Sequence, residues 1–404
     1  MASSEDPISG GRHKVIGSKT LNIPPQTSTI ASHIPKAVGT AFSIDRSRDL
    51  NLQSRELKSN GLVLCSFGDA SINHATALSG FNTAKWVKSI GGSVPIIFIC
   101  EDNGYGISVP TPKDWVKNIF SKQYNMKYID CDGLNIIDII NKSNIAQEYC
   151  RINRSPVFFH MKTVRLMGHA GSDIESSYLP ISKIESAEKN DPLLHTSRIL
   201  LENKYLSSDE ILNLYENSRL RVSHVFEHAT TKPRLLEATK VMESIVPQVA
   251  EQVIPPIPNN KSRESLFGKE FNRIDQPSHM AKLINFALKD IMLRYKNALI
   301  FGEDVAKKGG VYHITADLYN YFKVRRVFDS PLDETSIIGF ASGLAHNGFL
   351  PIPEIQFLAY FHNAEDQLRG EAATLSFFSK GQYKNPMVLR IAGLAYQKGF
   401  GGHF

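Results

Sequence analysis

The chain has 404 residues, of which 42% are hydrophobic and 21% charged, and this ordinary globular composition excludes a mainly disordered, collagenous or coiled-coil protein. Its 46 lysines and arginines only slightly exceed its 40 acids and form no dense basic run, so we expect no nucleic-acid partner. The longest apolar stretch, residues 94–100, is far shorter than the roughly 20 residues that cross a bilayer, and the N-terminus lacks a secretory signal, so we expect no membrane partner.

The four cysteines show no CxxC spacing, which excludes a zinc ribbon or a redox pair of that type. Cys65 and Cys100 lie inside apolar, strand-like runs, where a cysteine is typically a small buried hydrophobic residue. This cysteine usage predicts a reducing, cytoplasmic location.

The first half of the chain alternates strand-like and helix-like segments. Short apolar runs bounded by Gly, Pro or Asp predict strands at 61–67, 94–101, 126–131 and 155–164. Helical periodicity falls between them, at 73–90 and 134–151. Strands that alternate with helices at this spacing predict a parallel sheet covered on both faces.

A helical connector follows the first domain. Ser207 or Ser208 can cap a helix whose first turn contains Asp209 and Glu210. The segment 254–265 is rich in Pro and Asn, which is typical of a linker.

The strand–helix alternation then resumes, with predicted strands at 298–304, 324–329, 350–357 and 386–393. The predicted fold class is therefore α/β, with two domains of parallel sheet flanked by helices and joined by the connector. The chain stops in a Gly-rich segment, GFGGHF, without a closing element, which predicts that the second domain is incomplete.

The most informative local feature is the segment Gly68-Asp69-Ala70-Ser71, between a strand and a helix. Small residues before a helix N-terminus favour a phosphate, but the Asp69 carboxylate would repel a diphosphate. A divalent cation between the two resolves the conflict, and Asn103, after the next strand, can supply a second oxygen ligand. Read singly, Asp69 is a helix cap and Asn103 a turn residue; at the ends of successive strands they indicate a magnesium site.

Asp69 and Asn103 together resemble the thiamine-diphosphate signature, in which Gly-Asp-Gly precedes Asn or Asn-Asn, although Ala70 replaces the second glycine. The resemblance extends over nearly the whole chain, to the dehydrogenase (decarboxylating) component of 2-oxoacid dehydrogenase complexes with alpha-type and beta-type subunits fused. Motifs similar to the alpha subunit are ASHIPKAVG, FGDASINH, EDNGYGISVPTP and VRLMGHAGSD. Motifs similar to the beta subunit follow in order: GEDVAKKGGVY, SPLDETSIIGFASGLA, PEIQFLAYFHNAEDQ and AYQKGFGGHF.

This resemblance implies an alpha-type diphosphate- and magnesium-binding domain at 1–205, a connector at 206–270 and a beta-type pyrimidine-binding domain at 271–404. It implies that the outer domains are incomplete at the N-terminal and C-terminal ends of the chain. It also implies a homodimer when complete, in which Asp69 and Glu334 face each other across chains.

The implied activity is the oxidative decarboxylation of a 2-oxo acid with thiamine diphosphate and Mg²⁺, followed by acyl transfer to a lipoyl group of a partner acyltransferase. The motifs EIQF and NGYGIS favour a branched-chain substrate. The alternatives are a pyruvate dehydrogenase component, another thiamine enzyme such as transketolase or a decarboxylase, and a truncated remnant without catalysis. For this chain alone we expect little or no activity.

The resemblance also implies roles for individual residues. Glu334 matches the glutamate that activates the cofactor, although a helix N-terminal acid is the alternative reading. His169 matches a histidine in a loop beside the cofactor, and His403 matches one that assists acyl transfer. The implied metal ligands are Asp69, Asn103 and the carbonyl of Tyr105. The implied cofactor-binding residues are Ser28, Ile30, Gly68, Asp69, Ala70, Ser71, Asn103, Tyr105, His169, Glu334 and Tyr360.

Overall fold

The structure, a computed structural model, describes residues 3–14, 16–27, 29–246 and 254–393. The predicted α/β fold class is confirmed: within these ranges, two separate parallel sheets of four strands each are flanked by helices. The helices in the described ranges do not combine the length and the apolar character needed to cross a bilayer.

The first sheet has the strand order β1-β2-β6-β5. Its strands are β1 (Val63–Gly68), β2 (Ile96–Asp102), β5 (Lys127–Asp132) and β6 (Val157–Lys162). A short antiparallel hairpin, β3 (Tyr105–Gly106) and β4 (Val109–Pro110), follows β2. The four strands predicted for this half are confirmed.

Helices cover both faces of the first sheet. They are α1 (His33–Asp49), α2 (Ala75–Ser89), α3 (Trp115–Phe120) and α4 (Ile136–Asn153). Alternate strand residues point to opposite sides: Phe98 and Phe158 pack with α1, α2 and α3, while Ile97 and Phe159 pack with α4. All four cysteines are free and buried in this half.

Mostly exposed helices connect the sheets: α5 (Ile181–Lys189), α6 (Pro192–Glu202), α7 (Ser208–Thr230), α8 (Ala238–Met242) and α9 (Asn260–Phe267). Ser207 caps α7 in a capping box with Glu210, which confirms the first of the two predicted caps. No residue of α5, α6 or α7 is buried.

The second sheet has the order β10-β9-β7-β8, with β7 (Ala298–Gly302), β8 (Val327–Asp329), β9 (Leu350–Ile355) and β10 (Arg390–Ile391). Its helices are α10 (Met280–Arg294), α11 (Leu318–Phe322), α12 (Glu334–Ala345) and α13 (Leu375–Phe378). All four strands are shorter than predicted, and β8 and β10 begin later than predicted. Before β8, the N–H groups of Arg326 and Val327 bond the Lys323 carbonyl in a turn, and before β10 Pro386 has no N–H to donate.

The two sheets share one hydrophobic core, because α1 packs directly on α12. The helices cross at glycines: a Cβ atom on Gly39 would lie 2.1 Å from the Phe340 carbonyl oxygen, and one on Gly343 would lie 2.1 Å from the Lys36 carbonyl oxygen. Beside this crossing, the buried Lys36 ammonium forms a salt bridge with the buried Glu371 carboxylate. The domain boundaries proposed from the sequence stay a prediction.

Candidate active site

The first sheet ends in a buried carboxylate. Asp69 follows β1, begins a 3-10 turn over Asp69–Asn73, and is only 1% exposed. Its Oδ2 accepts a hydrogen bond from the Thr111 hydroxyl at 2.7 Å, and the backbone N–H of Asn103 lies close enough to lower the pKa of the carboxyl. Its Oδ1 has no partner among the described residues. A buried carboxylate oxygen without a donor is costly, and a cation would satisfy it.

Electrostatics at this edge agree with a cation site. Burial raises the pKa of Asp69, the hydrogen bond from Thr111 lowers it, and the nearby charge of Asp102 raises it further. Two neighbouring carboxylates repel each other unless a proton or a cation lies between them. Within the described ranges, however, no three His, Cys, Asp or Glu side chains form a metal-binding group, so a cation here would also need amide, carbonyl or water oxygens.

Asp102 is linked by consecutive hydrogen bonds to His160 and Tyr128. Its Oδ2 lies 2.7 Å from Nε2 of the buried His160, whose Nδ1 lies 2.7 Å from the Tyr128 hydroxyl. A neutral ring that donates from Nε2 and accepts at Nδ1 satisfies both contacts. The hydrogen bond from His160 is the main cause that lowers the pKa of Asp102. The Asp102 carboxylate is therefore held in a fixed orientation beside Asp69.

The predicted ligands Asn103 and Tyr105 line a cleft of about 740 Å³. The Asn103 side-chain oxygen accepts a hydrogen bond from the Tyr105 N–H at 3.0 Å. Asn103 therefore also acts as a turn residue, which was the alternative to a metal ligand. Arg165 and Lys183 line the same cleft, and the Arg165 guanidinium lies 5.2 Å from the centre of the Tyr105 ring. Glu175 also lines the cleft, with its carboxylate 3.8 Å from the Arg165 guanidinium, so the lining carries two cations against one anion, an excess that favours an anion such as a diphosphate.

His169 lies on the exposed loop after β6, and its side chain is not among those that line this cleft. Its backbone N–H donates to Asp173 Oδ2 at 2.7 Å, and the Tyr178 hydroxyl donates to the same oxygen at 2.8 Å. Asp173 therefore fixes the loop backbone while leaving the imidazole exposed.

The second sheet also ends in buried carboxylates. Glu334 is the first residue of α12, is 6% exposed, and accepts a hydrogen bond on Oε2 from Asn363 at 3.1 Å. Glu303 follows β7, is 8% exposed, and has an Oε1 without a partner among the described residues. Burial raises the pKa of Glu303 to about 7, with further contributions from the charges of Glu334, Asp304 and Asp333.

Tyr360 lies in the 3-10 turn Leu358–Ala364, which also contains Asn363. Its ring packs edge-on against Phe357, with the centroids 5.9 Å apart, and against the core around Ile338 on α12. The turn thus brings Tyr360 close to the helix that begins at Glu334. Its ring also packs as an ordinary core aromatic does.

The remaining predicted site residues lie in different surroundings or outside the described ranges. Gly68 and Ser71 flank Asp69, and Ala70 adopts no positive φ, so the missing glycine does not strain this turn. Ile30 is 55% exposed in the turn before α1, and no described contact joins it to Glu334. Ser28 and His403 lie outside the described residues.

The structure therefore gathers the predicted residues at two edges. Asp69, Asn103 and Tyr105 meet at the first sheet, and Glu334 and Tyr360 at the second. Among the described residues no hydrogen bond joins Asp69 to Glu334, and the expectation that they face each other across chains stays a prediction.

Sequence reasoning missed Thr111, His160, Glu303 and Asn363. Glu303 could have been found, because it is an acid at the carboxyl end of a strand, as Asp69 is. Thr111 and Asn363 lie inside motifs quoted above, but neither these motifs nor the strand that contains His160 indicates that these side chains bond the carboxylates.

Comparison with known families gives two consecutive matches. The family described as "Dehydrogenase E1 component" matches residues 1–237, more than half of the chain. The family described as "Transketolase, pyrimidine binding domain" matches residues 276–399.

Individual relatives include both alpha-type and beta-type subunits. The chain is 27% identical over 212 residues to the human mitochondrial 2-oxoisovalerate dehydrogenase subunit alpha, covering 52% of this chain and 44% of that protein. It is 43% identical over 118 residues to the 3-methyl-2-oxobutanoate dehydrogenase subunit beta of Mycobacterium tuberculosis, covering 29% and 34%.

A further match is the pyruvate dehydrogenase E1 component subunit beta of Staphylococcus epidermidis, 43% identical over 111 residues, covering 28% of this chain and 34% of that protein. The chain thus spans between about a third and a half of the length of these relatives. An alpha-type match followed by a beta-type match confirms the resemblance to a fused arrangement, and the chain belongs to the dehydrogenase E1 component family.

Proposed function

We propose that the chain serves the oxidative decarboxylation of a 2-oxo acid with thiamine diphosphate and Mg²⁺, with transfer of the acyl group to a lipoyl group of a partner acyltransferase. The observation that carries the proposal is a buried carboxylate at the carboxyl end of each parallel sheet, Asp69 at one and Glu334 at the other. Ligands of open α/β sheets bind at such edges. The family matches support the same reading.

The first edge fits a magnesium diphosphate. The unpartnered Oδ1 of Asp69 would bind the cation, together with the amide oxygen of Asn103 and the carbonyl oxygen of Tyr105. Arg165 and Lys183 in the adjacent cleft would neutralise diphosphate oxygens. Gly68, Ala70 and Ser71 leave the backbone accessible to the phosphate.

The second edge fits the aminopyrimidine ring. When bound, thiamine diphosphate supplies the nucleophilic carbon and the electron sink for decarboxylation. Glu334, oriented by Asn363, would hold a proton toward a ring nitrogen, and Tyr360 would lie against the ring. Glu303, with a pKa raised to about 7 by burial and neighbouring acids, can keep a second proton beside Glu334 at neutral pH.

Three further residues keep the roles that the family resemblance implies. Exposed on its loop, the His169 ring can donate to a diphosphate or to the substrate carboxylate. His403 would assist acyl transfer, and Ser28 and Ile30 would contact the pyrimidine.

A branched-chain 2-oxo acid is the favoured substrate, because both the alpha-type and the beta-type half match branched-chain relatives. The beta-type match to a pyruvate dehydrogenase keeps pyruvate as the second candidate. Release of CO₂ from 3-methyl-2-oxobutanoate, compared with release from pyruvate under equal conditions, separates the two.

Exchange of the C2 proton of bound thiamine diphosphate, followed by NMR, tests the role of Glu334. The Glu334→Gln variant keeps the size of the side chain but cannot hold the proton. We expect normal folding and cofactor binding with strongly slowed exchange. Exposed Glu101→Gln is the matched control and should exchange as the unmodified chain does. Unchanged exchange in Glu334→Gln would contradict the assignment.

A further inference from the structure

A second cleft lies where α1 and α2 meet the second sheet and α12, and it has a volume of about 670 Å³. None of the described residues proposed above for the cofactor or the metal lines it. Part of this volume is open to solvent at the mouth of the cleft. We call it the phenylalanine cleft, after its floor of Phe42, Phe301, Phe328 and Phe340.

The floor is rigid and apolar. All four phenylalanines are less than 9% exposed, and Phe301 stacks on Phe328 with the ring centroids 5.2 Å apart. The wall is formed by Trp86 and Ile90, which are 46% and 55% exposed. A hydrocarbon that covered these exposed surfaces would remove them from water, which is favourable in proportion to the area.

Most polar groups of the phenylalanine cleft are already satisfied by the protein. The Thr83 hydroxyl bonds the Ser336 hydroxyl at 2.7 Å, and the Ser330 hydroxyl donates to the Pro331 carbonyl at 2.9 Å. Because these hydroxyls already have hydrogen-bond partners, a ligand at the centre of the cleft needs no polar group to pair with them.

Arg46 is the exception. Its guanidinium lies 4.7 Å from the centre of the Phe42 ring, and one N–H group donates to the Val324 carbonyl at 3.2 Å. It forms no salt bridge with a carboxylate in the described part of the chain, unlike Arg48 two residues later. Burial lowers the pKa of Arg46, the charge of Asp49 raises it, and the charge of Arg325 lowers it again, so this partly desolvated cation would gain from a further anion.

The charge at the mouth also limits the ligand. Asp329 lines the same cleft, and its carboxylate accepts the Ala306 N–H at 2.9 Å. One unpaired guanidinium opposed by one carboxylate favours a single negative charge and disfavours a phosphate or another polyanion.

We propose that the phenylalanine cleft binds an apolar monocarboxylate, with its carboxylate on Arg46 and its hydrocarbon chain on the phenylalanine floor. This site needs no thiamine diphosphate, so its test is independent of the function proposed above.

Tryptophan fluorescence tests the proposal on the full chain. The chain has two tryptophans, and a Trp115→Phe background leaves Trp86 in the wall as the reporter. Octanoate should change its emission in a saturable way, and octan-1-ol, which has the same chain without the charge, should bind at least tenfold more weakly. Hexanoate, which lacks two methylenes, should also bind roughly 15-fold more weakly, because each buried methylene contributes about fourfold.

An Arg46→Gln variant should weaken octanoate binding about tenfold and leave octan-1-ol binding unchanged. Arg48→Gln is the matched control, because Arg48 does not line the cleft, and it should bind octanoate as the background does. Equal binding of octanoate and octan-1-ol to the background protein would overturn the proposal even if Arg46→Gln failed to fold. The absence of saturation, or an equal loss in both arginine variants, would also overturn it.

Discussion

At the scale of single residues, the carboxylates of the candidate site are held at a cost to the folded chain. Burial raises the pKa of Glu303 from the ordinary value of 4.5 to about 7, and neighbouring acids add to the rise. A carboxyl whose folded pKa exceeds its unfolded pKa contributes stability at low pH and loses it as the pH rises. Glu303 should therefore lower the free energy of unfolding progressively between about pH 4.5 and pH 7.

We expect the gain in stability from Glu303→Gln to be small at pH 5, where Glu303 is protonated in the folded chain, and larger at pH 8. Urea unfolding at both pH values measures the difference, and Glu101→Gln at the exposed end of β2 is the control. A stability difference that is the same at pH 5 and pH 8 would contradict the raised pKa.

Asp69, like Glu303, should lower the stability of the folded chain, although the proposed metal site needs its carboxylate. Its pKa is raised by burial and by the charge of Asp102, so the ionised carboxylate destabilises the cofactor-free protein at neutral pH. Asp69→Asn should therefore raise the free energy of unfolding without cofactor by roughly 0.5–2 kcal/mol. Urea unfolding in EDTA measures this. A clear loss of stability would instead make Asp69 a structural residue, as the helix-cap reading holds.

At the scale of elements, the contact of α1 with α12 joins the two sheets. Beside this contact, the buried Lys36–Glu371 salt bridge joins α1 to the helical turn Gln367–Ala372, and the hydroxyls of Thr27 and Ser32 also donate to the Glu371 carboxylate. Burial raises the pKa of Glu371, but the charge of Lys36 and these hydrogen bonds outweigh burial and lower it overall. The carboxylate is therefore ionised and depends on Lys36.

Lys36→Met should cost about 3–5 kcal/mol, because it leaves a buried charge without its partner, and adding Glu371→Leu should restore most of the loss. Lys240→Met is the control: its partner Glu237 and Lys240 itself are both 62% exposed, so the effect should stay within about 1 kcal/mol. Chemical denaturation of the four proteins measures these values. Equal losses for the single and the double variant would mean that packing, and not charge, holds this contact.

The glycines at the same crossing give an independent test. Gly343→Ala places a methyl group 2.1 Å from the Lys36 carbonyl oxygen, so the helices must separate, at a cost of about 1–3 kcal/mol or more. Gly171→Ala is the control, because a Cβ atom there meets nothing within 4 Å. If thermal unfolding showed the same midpoint for both variants, the close approach of α1 and α12 would be wrong.

At the scale of the whole molecule, the sequence predicts the strands well because apolar runs such as 94–101 end at Gly, Pro or charged residues. It does not give the order β1-β2-β6-β5, because β6 inserts between two earlier strands through contacts distant in sequence. For the same reason, only part of the candidate site could be predicted from the sequence. Asp69 and Asn103 follow successive strands and could be paired, whereas Thr111, His160 and Asn363 reach the carboxylates only through tertiary folding.

The central claim is that the first edge binds a diphosphate through a cation on Asp69. Calorimetric titration of the chain with thiamine diphosphate, with and without Mg²⁺, tests it most directly. We predict binding that weakens at least tenfold when Mg²⁺ is removed or Asp69 is changed to Asn, and that survives in Glu101→Gln. Binding that is indifferent to Mg²⁺ and to Asp69, or no binding at all, would contradict the account.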